Sequence, residues 1–199
     1  MEEGYIKFKA NWEKSPALPL RFIKHLNHWR NILYELKLIG SYENSIGFGN
    51  ISLRFGTSDH FIISGSGTGI LETLKADHYS LVTNIDIDNN KLDCRGPIIA
   101  SSESMSHGVI YRECADIQGV IHVHNKPLWE KLMHKVPTTD NKAEYGTPEM
   151  AYEIIRLIHE SDLLEKKIIV MEGHDEGVFT FGKTLEEAGE ILLDYYRKL

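Results

Sequence analysis

Cysteine is nearly absent from this chain: Cys94 and Cys114 are the two in 199 residues. Two thiols are too few for a disulfide framework and fit a reducing compartment. Long apolar runs are also missing, and none approaches the roughly 20 residues that cross a bilayer as a helix. The opening stretch "MEEGYIKFKANWEKSP" lacks the basic-then-apolar layout of a secretory signal. Positive charge is the scarcer sign, with 22 Lys and Arg against 29 Asp and Glu and a formal net charge of -7. The basic patches that mark a nucleic-acid partner are therefore not expected. Proline numbers only six, and no Pro/Ser/Gly-rich linker, low-complexity tract or internal repeat divides the chain. These absences lead to the expectation of a single domain over residues 1–199, cytoplasmic, with no nucleic-acid and no membrane partner.

What is present suits an ordinary globular core, at 42% hydrophobic and 26% charged residues. Phe22, Leu26, Trp29, Leu33 and Leu36 recur at steps of four and three, which predicts an amphipathic helix within 17–39. Two glycines in "SIGFGN" break it. "ISLRFG" and "HFIISGSG" read as paired strands ahead of a glycine-rich loop, and "YSLVTNIDIDNNKLDC" reads as a hairpin turning at Asp88–Asn90. "SSESMSHGVIYREC" and "TPEMAYEIIRLIHE" predict helices, the second with Thr147 at the N-cap and Pro148 at the first helical position. "QGVIHVHN", "KKIIVM" and "GVFTFG" predict strands. The last helix opens with a Thr184-x-x-Glu187 capping box. Together these elements predict a mixed sheet covered by helices.

The stretch "GVIHVHN" carries the chemistry. Residues two apart in a strand share a face, so His122 and His124 project together and Ile121 and Val123 face the other way. Two imidazoles so spaced can reach one metal ion, although a strand near a sheet edge with both rings in water satisfies the same spacing. A third ligand has to come from elsewhere. His25 and His28 lie on the first helix, and His60, His78, His134 and His159 show no partner pattern. His174 sits in a turn after an apolar strand, either in water or converging on a site. Glu103 and His107, four apart, open the "SSESMSHG" helix on one face; an isolated glutamate there is ordinarily a dipole-stabilised end residue.

Six pieces, "GNISLR", "FIISGSGTG", "SSESMSHGVIY", "VIHVHN", "YGTPEMA" and "GHDEGVFTFGKTLEEA", stand in the order found in one family. From about Gly47 to Glu187 the chain resembles the class II aldolase/adducin family, which includes fuculose- and rhamnulose-phosphate aldolases and ribulose-phosphate 4-epimerase. The resemblance implies a three-layer α/β/α fold around a mainly antiparallel mixed sheet. It implies His122, His124 and His174 as ligands of a divalent metal, usually zinc, with Glu103 as the catalytic acid–base group beside it. It implies Gly49, Asn50, Ser66, Gly67, Ser101 and Ser102 as the holders of a substrate phosphate. The expected activity is that of a lyase, an aldolase or decarboxylase, acting on a phosphorylated keto-sugar or sugar acid through a metal-stabilised enediolate. Epimerisation or dehydration on the same scaffold, or a non-catalytic adducin-like module, are the alternatives. A glutamate at 103 is aldolase-like, where the 4-epimerase pattern carries an aspartate. A homotetramer is implied as well. The family's aldolases use a tyrosine near the "TTDNKAEYGT" segment; here Asn141 or Lys142 stands near that place, with Tyr145 slightly later.

Overall fold

The computed structural model describes residues 5–199. Strand β1 (Lys9–Lys14) is followed by helix α1 (Leu20–Glu35) and the two-residue strands β2 (Gly40–Ser41) and β3 (Gly47–Phe48). Strands β4 (Asn50–Arg54), β5 (Phe61–Ser64), β6 (Tyr79–Asp86) and β7 (Lys91–Gly96) come next, then α2 (Ser104–Glu113) and β8 (Gly119–His124). Helices α3 (Lys126–Leu132), α4 (Pro148–Glu160) and α5 (Leu163–Lys166) precede β9 (Ile168–Val170), β10 (Gly177–Gly182) and α6 (Leu185–Tyr196). One eight-stranded sheet runs β1-β7-β6-β5-β4-β8-β10-β9. Its neighbours are antiparallel except β1 and β7, which are parallel, so the sheet is mixed and mainly antiparallel as expected.

Helices cover both faces. On one, α2, α4 and α5 bury Met105, Val109, Ile154 and Leu163 against Phe61, Val82, Val120 and Phe179. On the other, α1, α3 and α6 bury Leu26, Leu33, Leu128 and Leu192 against Ile51, Ile62, Ile121 and Val178. Truncating one such leucine to alanine costs about 2–5 kcal/mol, because the transfer loss is joined by a cavity.

The start signals read in the sequence are made. Thr147 Oγ1 accepts from Met150 N, and Thr184 Oγ1 accepts from Glu187 N at 3.0 Å. Two helix boundaries differ. The first helix is shorter than 17–39: Pro19 stands at its N-cap, and Lys37, at φ +57°, turns the chain out just after Leu36. Helix α2 starts at Ser104, which moves Glu103 from the first turn to the N-cap position. The edge strand β1 is absent from the sequence reading, although Ile6, Phe8, Ala10 and Trp12 alternate with polar residues; its own six residues are all exposed.

Candidate functional site

Strand β8 is buried along its whole length, with β4 on one side and β10 on the other. Register sets Asn50 of β4 and Phe179 of β10 opposite His122, and Gly177 opposite His124. Residues directly opposite share a face, so Asn50, His122 and Phe179 stand in one row. The solvated-edge reading of the two histidines is thereby excluded: they are 1% and 3% exposed.

His174 arrives on the turn between β9 and β10 and is equally buried. Gly173 is required there, since a Cβ would lie 2.2 Å from the Ala143 carbonyl oxygen. That close approach lays the 141–145 segment against the turn, and the Tyr145 ring stacks on His174 at 4.6 Å between centroids. Phe179 stacks on His122 at 4.4 Å and Phe48 on His124 at 5.4 Å. Ligand-capable nitrogens of His122, His124 and His174 all lie within 4.8 Å of one another. Zinc–imidazole bonds of about 2.0–2.1 Å in a tetrahedral shell need such nitrogens roughly 3.3 Å apart.

The donor chemistry fits a cation. Burial, and then the neighbouring imidazoles, holds His122 and His124 well below the ordinary histidine range, so both rings are neutral. Their Nε2 atoms face each other at 3.0 Å. A positive ion held by His122 and His124 would be offered both lone pairs. The tyrosine hydroxyl of Tyr42 lies 2.8 Å from His124 Nδ1 and donates to Glu176 Oε2 at 3.2 Å. With that proton committed to the carboxylate, Nδ1–H of His124 donates to the tyrosine oxygen and Nε2 keeps its lone pair for the centre, the outer-shell arrangement typical of metal histidines.

Glu103 is 2% exposed, and its side chain makes no capping hydrogen bond to the backbone of the helix it precedes. Ser106 Oγ donates to its Oε2 at 3.0 Å, and Oε1 lies 3.4 Å from His174 Nδ1. The carboxylate is therefore turned toward the imidazoles rather than serving as a cap.

A cleft beside the trio is lined by Gly49, Asn50, Gly67, Ser101, Ser102, Glu103 and His122, with Thr68 and Gly69. Of the six anion-pocket residues expected from sequence, Ser66 alone is not on this lining; it sits in the same loop, where its N–H bonds the Ile99 carbonyl. Gly49 has φ +74°, and a Cβ there would lie 2.8 Å from Ile39 Cγ1. The loop is held from behind by Arg30, whose guanidinium donates to the Glu72, Thr68 and Gly69 carbonyls at 2.6, 3.3 and 3.2 Å.

Sequence reasoning missed Arg30, Tyr42 and Glu176. Arg30 falls on the apolar stripe of α1, where a lone arginine carries no pattern. Tyr42 lies in a turn segment, and only its distance from His124 reveals it. Asn141 and Lys142, near the expected tyrosine position, are exposed, while Tyr145 is buried against the site.

Residues 43–195 match the class II aldolase and adducin N-terminal domain. A stretch of 78 residues is 32% identical to the "Probable L-ribulose-5-phosphate 4-epimerase UlaF" of Mycoplasma pneumoniae, covering 39% of this chain and 30% of that protein. Among solved structures, an L-fuculose 1-phosphate aldolase is similar with a TM-score of 0.68 at 18% identity, over 92% of this chain and 84% of that one. A sugar-phosphate aldolase from Thermotoga maritima gives 0.66 at 15% identity, over 89% and 91% of the two chains. The fold is shared with both, and the matched domain spans most of the sequence: this chain belongs to the class II aldolase and adducin family.

Proposed function

We propose that this protein is a metal-dependent lyase that cleaves a phosphorylated keto-sugar or sugar acid, with His122, His124 and His174 as the metal ligands and Glu103 as the proton carrier. The carrying observation is convergence: three buried imidazoles, a buried carboxylate 3.4 Å from one of them, and a cleft lined by glycines and hydroxyls on a single sheet face. A divalent cation, zinc by its affinity for imidazole, supplies Lewis-acid polarisation of substrate oxygens when bound.

The chain's own groups do the rest. Backbone N–H groups around Gly49 and Gly67, with Asn50, Ser101 and Ser102, offer donors to a phosphate without a lysine, which suits an acidic chain. Ser66 contributes to the shape of that loop. Aldol cleavage removes a hydroxyl proton, breaks a C–C bond and later returns a proton to carbon. Glu103 is the carboxylate within reach of that path, and the Ser106 hydroxyl steadies one of its oxygens while the other stays toward the imidazoles. Phe48, Phe179 and Tyr145 wall the cluster with apolar surface and limit water around the reacting atoms.

Epimerisation is the second reading, and the similarity to the Mycoplasma pneumoniae protein favours it. A homotetramer in the cytoplasm completes the proposal; free Cys94 and Cys114 are consistent with a reducing compartment. Zinc-loaded protein offered a panel of phosphorylated sugars and sugar acids tests the reaction. Two smaller carbonyl products indicate cleavage, whereas an isomer of unchanged mass indicates epimerisation. Absence of both, in protein proved to bind metal, would overturn the catalytic reading. A monomer in light scattering at micromolar concentration would overturn the tetramer.

A further inference from the structure

His107 is fully buried but is not one of the clustered imidazoles, and the proposed reaction makes no use of it. It packs between Phe61 and Phe179, with ring centroids 6.4 and 5.1 Å away. Both its nitrogens are engaged: Nδ1 lies 2.7 Å from Ser52 Oγ, and Nε2 lies 2.6 Å from Asn50 Oδ1. Burial pushes the ring down to about 3, so it is neutral near pH 7 and carries a single N–H proton.

The neighbours decide which nitrogen holds it. Ser52 Oγ is also 2.8 Å from the Tyr111 hydroxyl. The other acceptor near Tyr111 is the Gln118 carbonyl, a long contact at 3.4 Å beside the 2.8 Å to Ser52, and the shorter bond takes the tyrosine proton. Tyr111 therefore donates to Ser52, and the single serine proton goes on to His107 Nδ1. Nε2 must then be the protonated nitrogen, donating to Asn50 Oδ1. The amide's NH₂ branch is left on the other side, where Asn50 lines the cleft with Gly49, Ser101 and Ser102. A chain of protons running the opposite way would turn the amide oxygen into the cleft, where it repels an anion.

We propose that His107 is a positioning residue, which holds the Asn50 amide with its NH₂ facing the cleft and so makes that cleft a site for a phosphate-class anion. The inference rests on the anion-pocket reading above. Its test joins two measurements on metal-loaded protein: ¹⁵N NMR of the histidine side chains, and binding of inorganic phosphate to wild type, Ser52→Ala and His107→Phe. The expected result is the Nε2–H tautomer at His107 in wild type. Phosphate affinity should fall roughly two- to tenfold in Ser52→Ala, the effect of one hydrogen bond. His107→Phe should bind more weakly still, and Ser52→Ala carries the conclusion where that variant does not fold. Wild-type phosphate binding together with an Nδ1–H tautomer, or with unchanged affinity in Ser52→Ala, would overturn the role of His107 and leave the anion reading standing. Absence of phosphate binding by wild type that shows the Nε2–H tautomer would instead sink the anion reading, and the role of Asn50 with it.

Discussion

His122 and His124 project from a strand paired along both edges, whereas the cleft beside them is built largely on chain that leaves the sheet around Gly49, Gly67 and Ser101. The first region needs no unusual backbone. Period-two geometry aligns the rings, burial keeps His122 and His124 neutral, and aromatic walls restrict their rotation. The second depends on glycines at positive φ and on a buried arginine holding the loop from behind. The difference teaches where each region is fragile. An imidazole pair on a rigid strand fails when one atom set is removed, while a loop pocket fails when its backbone is displaced.

The comparison can be broken most sharply at His124. Its replacement by alanine should reduce metal affinity by more than the roughly 10–100-fold that loss of an outer-shell partner costs. Far-ultraviolet circular dichroism should stay near wild type, because β8 keeps its pairing; elemental analysis of the dialysed protein reads the loss. Glu103→Gln should leave metal content intact and slow turnover by about 10²–10⁴-fold, the usual worth of a positioned acid–base group. Full turnover with metal bound would remove Glu103 from the mechanism. Were it only a helix-end charge, the same change would alter stability by about 1 kcal/mol or less.

Tyr42→Phe sharpens the comparison from outside the ligand set. It takes the hydroxyl away from His124 Nδ1 and should weaken metal binding by roughly 10–100-fold in a chelator competition. Equal affinity in wild type and Tyr42→Phe would show that the tyrosine does not orient the ring. Gly49→Ala attacks the other region. The alanine would have to adopt φ +74° with its Cβ 2.8 Å from Ile39 Cγ1, a strain of about 1–3 kcal/mol. Thermal unfolding should register that loss and phosphate affinity should fall, with metal affinity close to wild type if the two regions are as separate in energy as in construction.

How legible each region was follows the same division. The His-x-His strand, the Thr147–Pro148 helix start and the hairpin at Asp88–Asn90 could be read from neighbours a few residues away, since periodicity and caps are local. Glu103 was legible as a residue but not as a geometry: sequence put it in the first turn of a helix, and the structure sets it one step earlier with its side chain directed at His174. Arg30 and Tyr42 were illegible. The partners of Arg30 lie about forty residues on, and Tyr42 meets His124 across 82 positions, which no spacing rule reaches.

The sequence by itself determined the alternation that turns two histidines to one side of a strand, the helix starts, the glycine-rich turns and the scarcity of cysteine and basic residues, because these are properties of short segments and of composition. Only the tertiary structure decided that His174 closes on the pair, that Glu103 faces the imidazoles instead of capping α2, and that His107 and Tyr42 hold particular atoms in particular orientations. Those outcomes depend on which strands become neighbours and how deeply they are covered, and burial and long-range contact are settled when the whole chain packs.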